Sequence, residues 1–177
     1  AAGNVISQNP AGGASVAPGT AVDMLVSLGP NPVTPENVVL PANGGVLEAF
    51  TSQYSGSWGQ AAALTNGIQT DNGWCSSINP GPQEFIYSFD SGDNKILSEA
   101  TVYAGLAEGG VYVSKDVEVW TSLNGSAYTM VASGTLANAS HATLTLDLGD
   151  VVATKVKLRI TSGYRTDYWE MGEFEVM

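Results

Sequence analysis

The chain has 177 residues, of which 44% are hydrophobic and only 13% charged; seventeen acidic side chains stand against six basic ones, for a net charge of −11. A field of that sign opposes nucleic acid and anionic membrane as partners. One cysteine, Cys75, excludes an intramolecular disulfide, and no apolar run is long enough to cross a bilayer as a helix. The length suits one good core with a small appendage. No signal peptide is visible and the first residue is not Met, so the chain reads as a piece of something larger. The single histidine, His141, reads as a surface position at the mouth of a strand.

Residues 1–30 differ from the rest. Two short β-like runs, Val5–Ser7 and Val22–Leu28, are separated by Pro, Gly and Ala turns. Ala21, Asp23, Leu25 and Ser27 alternate with Val22, Met24, Val26 and Leu28, the pattern of a strand with one buried face. The stretch GNVISQNPAGGASVAPGTAVDMLVSLGP resembles the second half of a PASTA repeat, with its Gln-x-Pro turn, Pro-Gly-x-x-Val strand and final Val-Ser-x-Gly. The first half of such a repeat is missing, so the resemblance implies a stalk or spacer in a bacterial, extracytoplasmic parent and carries no activity over. Residues 31–37, NPVTPEN, form a linker that two prolines keep extended.

From residue 38 to 177 strand signals recur at short spacing: 84–90, 96–104, 115–122, 127–133, 142–149, 155–161 and 173–176. Val117 and Val119 oppose Asp116, Glu118 and Trp120, while Val156, Leu158 and Ile160 oppose Lys155, Lys157 and Arg159. Asn124-Gly125 between two alternating runs predicts a hairpin. No helical pattern of useful length is present. These features predict an all-β, antiparallel β-sandwich, read as a jelly roll.

In this second domain, AFTSQYSGSWGQAAALTNGIQTDNGWCSS, DVEVWTSLNGSAYTMVASG, VKLRIT and WEMGEFEV fall in the order and spacing of a discoidin domain. The resemblance is to the coagulation factor 5/8 type C domains of the galactose-binding-like superfamily, which include modules like the family 32 carbohydrate-binding modules. It spans most of residues 48–177. Asn66 stands where the family usually has Asp, Trp74 falls about one residue late, and the Ser-x-Asp-Gly turn has become Ser122-Leu123-Asn124-Gly125.

The resemblance implies a structural Ca²⁺ held by the loop over 63–74. Carried over by position, the ligands are the carbonyls of Ala63 and Ile68, the side chains of Asn66 and Asp71, and Glu173; Thr70 replaces Asp71 if the extra residue shifts the register. Calcium accepts six to eight oxygens of such mixed kinds. The bland alternative is that Asn66-Gly67 and Asn72-Gly73 are turn residues only. Trp74 and Cys75 read as core beneath this loop, with the thiol inert.

Sugar recognition needs an aromatic face together with polar neighbours. Three glycine-bearing loops provide both: Tyr54 and Trp58 on the first, Glu108 and Tyr112 on the second, and Tyr164, Arg165, Asp167 and Tyr168 on the third. Each has a structural alternative: Trp58 capping the sandwich, Tyr112 opening a strand, Arg165 paired with Asp167. Trp169 is expected inside. The Arg and Asn that many galactose-binding relatives carry in the loop equivalent to 104–112 are lacking. Sugar binding is therefore expected as a class without support for galactose itself, and the acidic charge puts neutral glycans ahead.

The leading reading is a non-catalytic carbohydrate-binding module attached to parent catalytic or adhesin domains of a secreted or cell-surface bacterial protein. The alternatives are an adhesion domain for protein or lipid, and a spacer that binds nothing. No nucleophile–histidine arrangement, His-rich metal set or phosphate loop supports an enzyme. Asp167 and Glu170 form at best an imagined glycosidase pair.

Overall fold

Val5–Asn9 (β1) and Asp23–Val26 (β2) pair as an antiparallel hairpin in the first of two units, Ala1–Pro35 and Glu36–Met177. The structure is a computed structural model that describes residues 5–26 and 35–177. Ser27, Leu28 and most of the 31–37 linker lie outside the described residues. The one buried face expected of the second strand is not found. Val22, Met24 and Leu25 are all exposed, because a lone two-stranded ribbon has nothing of its own to pack on.

The second unit is a β-sandwich. Its strands are Val46–Phe50 (β3), Trp74–Cys75 (β4), Gln83–Ser88 (β5), Lys95–Tyr103 (β6) and Asp116–Ser122 (β7). Thr129–Thr135 (β8), Thr143–Ala153 (β9), Lys155–Ile160 (β10), Glu170–Met171 (β11) and Glu173–Val176 (β12) complete it. One sheet runs β3-β5-β10-β7-β8, a second β12-β6-β9, and β11 pairs with β4 in a short third; all named strand pairs are antiparallel.

Alternation sets the layers. Phe85, Tyr87, Val117, Val119, Val156, Leu158 and Ile160 turn inward from the larger sheet to meet Ala100, Val102, Leu146, Phe174 and Val176 from the smaller. The rings of Tyr87 and Phe174 meet across the layers with centroids 5.9 Å apart. Outside, Arg159 reaches Glu118 at 3.1 Å and Glu84 at 3.3 Å. Lys155 pairs with Glu48, and Lys157 lies over the rings of Trp120 and Tyr128. The Asn-Gly hairpin is present, with Asn124 Oδ1 accepting from the N–H groups of Ser126 and Ala127, both at 2.9 Å.

Three strands lay beyond the alternation. β3 is exposed at Val46, Glu48, Ala49 and Phe50, so neither of its faces reads as buried. β4 and β11, two residues each, exist only because tertiary packing brings them together. The sole α-helical segment among the described residues, Ala107–Gly110, is a single turn in which Glu108 and Gly109 are left-handed.

Register fixes the two poles of the sandwich. Phe50 pairs with Phe85, Ile160 with both Gln83 and Val117, Asp116 with Thr135, and Tyr103 with Thr143 and Glu173. The connections 51–82, 104–115, 136–142 and 161–172 therefore all leave the sheets at one pole. Every side chain expected to bind a ligand lies on three of them.

Candidate functional site

The first loop is held by one amide. Gln60 Nε2 donates to the carbonyls of Gly56 at 2.8 Å, Trp58 at 3.1 Å and Tyr54 at 3.2 Å. Its Oε1 accepts from Gln53, whose own Oε1 accepts from Ala61 N at 2.9 Å. Main-chain bonds from Tyr54 N to Cys75 O and from Cys75 N to Gly59 O fasten the loop to β4. Gly59 is left-handed, and a Cβ there would stand 2.8 Å from that of Cys75. The result presents Tyr54 and Trp58 as neighbouring rings with centroids 4.7 Å apart and planes 36° from parallel.

Two further aromatics complete a box. Tyr168 stands edge-on to Tyr54 at 5.8 Å and to Tyr112 at 6.1 Å. Together with Cys75, Glu108 and Glu170 these four rings line a cleft of about 240 Å³. A larger hollow, about 370 Å³, lies at the opposite pole beside the Leu123–Asn124 turn and is lined by no ionisable side chain.

The cleft is acidic. Glu108 is exposed and sits on left-handed backbone, with φ of 46° after Ala107 at 40°, conformations that non-glycine residues adopt rarely and at a cost. Glu170 is 1% exposed, and its Oε2 has no hydrogen-bond partner. Burial pushes the Glu170 carboxyl up from 4.5 to about 7, and the neighbouring Glu108 charge adds to the effect. Burial likewise pushes the Cys75 thiol up to about 12, aided by Glu170, so the thiol is a weak nucleophile.

The third loop divides. Arg165 binds Asp167 through two parallel bonds at 3.0 and 3.1 Å, and its guanidinium lies 5.3 Å from the Tyr112 ring centre. Tyr164 faces elsewhere: its hydroxyl donates to Leu136 O at 2.9 Å, with Lys115 over its ring. Of the eight side chains expected to bind a ligand, Tyr54, Trp58, Glu108, Tyr112 and Tyr168 share the cleft. Arg165 and Asp167 adjoin it as a pair, and Tyr164 is outside. Trp169 is buried and donates from Nε1 to Arg165 O. Sequence reasoning missed Glu170 and Cys75 as lining residues, and Gln60 as the clamp.

The loop over 63–74 brings its expected oxygens together in part. Asn66 Nδ2 donates to Asp71 Oδ2 at 3.0 Å, and Asp71 Oδ1 accepts from Gly73 N. Glu173 alternates with Phe174, so it leaves the smaller sheet on the side away from the core, where the loop buries it. Its two oxygens accept from the N–H groups of Asn66 at 3.1 Å and Gly67 at 3.0 Å. Burial raises the Glu173 carboxyl to about 7, with Asp71 adding to the rise. Ala63 lies in the 3₁₀ turn Ala61–Thr65, and Ile68 is exposed. Among the described residues, no three His, Cys, Asp or Glu side chains gather as a metal site. Asn66 Oδ1 accepts from Ile68 N at 2.7 Å, and the two carboxylates and the amide linked through these bonds are oxygen donors of the kind calcium takes.

The antiparallel β-sandwich has the galactose-binding-like fold. Within that fold class the chain belongs to the F5/8 type C domain family, whose pattern matches residues 48–174. No curated protein matches the sequence. Among solved structures, the CBM32-5 module of Clostridium perfringens in complex with GalNAc-β-1,3-galactose aligns at 20% identity and TM-score 0.65, over 78% of this chain and 98% of its own. A Bacteroides thetaiotaomicron putative chitobiase fragment aligns at 16% and 0.67, over 83% and 95%. The family 32 carbohydrate-binding module of C. perfringens NanJ, in complex with galactose, aligns at 18% and 0.62, over 77% and 96%.

Proposed function

We propose that the larger unit is a non-catalytic carbohydrate-binding module, working within a longer secreted or surface-exposed bacterial protein. The observation that carries this reading is the box of Tyr54, Trp58, Tyr112 and Tyr168 on the loops of one pole. Such rings offer flat apolar faces to the C–H side of a sugar, while Glu108 and Glu170 accept hydrogen bonds from its hydroxyl groups. The fold is shared with modules solved in complex with GalNAc-β-1,3-galactose and with galactose. A cleft open on one side gives modest affinity, which repetition along a polysaccharide multiplies. A structural calcium ion held by Asn66, Asp71, Glu173 and the carbonyls of Ala63 and Ile68 would stiffen the loop before β4. It would offset the buried Glu173 charge and take no part in any reaction.

The test is a glycan array probed with the chain and with its Trp58→Ala variant. Capture of a defined glycan by the first and not by the second is the expected result. A blank array with the intact chain would sink the reading. It would favour an adhesion surface for protein or lipid, a role for which exposed Trp58, Leu106 and Val111 are chemically suited.

A further inference from the structure

The cleft holds more negative charge than a neutral sugar needs. Glu170 is buried with an unpartnered Oε2, and Glu108 is close enough to disfavour its ionisation. Two carboxylates in one small site are normally offset by a cation. All six basic side chains lie among the described residues, and none forms an ion pair with either carboxylate. Arg165, whose guanidinium stands over Tyr112, is bound at both carboxylate oxygens of Asp167. Glu108 is presented from the left-handed turn at 107–109, so backbone strain is maintained where this second charge is set.

We propose that the cleft selects a sugar carrying a free, protonated amine over the same sugar N-acetylated; this rests on the reading of the cleft as a glycan site. An ammonium group supplies three N–H donors and a positive charge at one atom, which matches an orphaned carboxylate oxygen with a second carboxylate beside it. The faces of Tyr54, Trp58, Tyr112 and Tyr168 add cation–π attraction that an acetamide does not receive. No Lys, Arg, Asn or Gln lines the cleft, so a uronate or sulfate finds nothing there to neutralise it. The net charge of −11 enriches cationic ligands near the surface. This departs from the neutral glycan that composition alone suggests.

The experiment is titration calorimetry of the full chain just below neutral pH. The probes are a β-1,4-linked glucosamine tetramer, its fully N-acetylated counterpart, and any neutral glycan captured on the array. The expected result is affinity about tenfold or more higher for the glucosamine tetramer, with a preference that shrinks as salt is added. Glu170→Gln and Glu108→Gln should each remove most of that preference. Glu108 is exposed, so its variant is informative even if the change at buried Glu170 disturbs folding. Equal or reversed preference, with the neutral glycan still bound through Trp58, overturns the amine proposal and leaves the glycan reading standing. Failure to bind any of the probes overturns both.

Discussion

The rings of Tyr54 and Trp58 lie 4.7 Å apart and 36° from parallel, a tilted pair that one clamped loop holds at the rim of the cleft. Trp58 remains 40% exposed although it touches another aromatic, so it is not consumed as a cap. Trp58→Ala should lower glycan affinity about tenfold or more, the range of an aromatic binding anchor, while Tm moves by no more than about 4 °C. Tyr164→Phe is the matched control. It loses the bond to Leu136 O, at a stability cost of about 1 kcal/mol, and should leave binding unchanged. Calorimetry and thermal melting on the two variants check both statements.

Gln60 is a positioning residue. Its side chain is not part of the cleft lining but binds the carbonyls of Tyr54, Gly56 and Trp58. Gln60→Ala should weaken glycan binding severalfold with every lining residue intact, and raise amide hydrogen exchange over 54–60. Unchanged affinity together with raised exchange would show that the loop need not be preordered.

Stability should depend on pH through Glu170. Its carboxyl titrates near 7 in the folded chain against 4.5 ordinarily, so between those values the folded state holds a proton that the unfolded state has released. Its contribution is fully present below about 4.5 and is lost as pH rises towards about 7. Burial is the main cause of the rise, the Glu108 charge adds to it, and a hydrogen bond with the Cys75 thiol opposes it. The Tm of Glu170→Gln, measured against that of the intact chain, should therefore climb across this window. Taking the difference between the two proteins cancels the parallel effect of Glu173.

Calcium is tested by chelation. With the ion bound, EDTA should lower Tm by several degrees, and returning calcium in excess should restore it. Glu173→Gln should reduce or abolish that response. A melt indifferent to EDTA would leave Asn66, Asp71 and Glu173 as a hydrogen-bonded turn and nothing more.

How much of this was legible depended on whether the signal was local. β7 and β10 announced themselves because strict alternation leaves Val117, Val119, Val156, Leu158 and Ile160 no other face to occupy. The 122–127 turn followed from Asn124-Gly125. β3 did not, since an edge strand with apolar side chains on both faces has no period to read. The aromatic loops were visible as loops, yet Tyr164 and Tyr168 stand four residues apart with opposite fates. Only the path of the chain over Leu136 separates them. Glu170 carried no local sign of burial, because it is covered by residues remote in sequence. A carboxylate directly beside Trp169 at the opening of a strand was the one hint available.

The bond from Val38 N to Val176 O, with Met177 O accepting from Ser98 N, sets the first and last residues of the sandwich side by side. They lie beside the middle of β6, at Ser98–Ala100, whereas the aromatic cleft gathers beyond its far end at Tyr103. Both ends of the sandwich are thus fastened along one edge of the smaller sheet, and neither lines the cleft. A ligand longer than the cleft can therefore run across its mouth without meeting either Val38 or Met177.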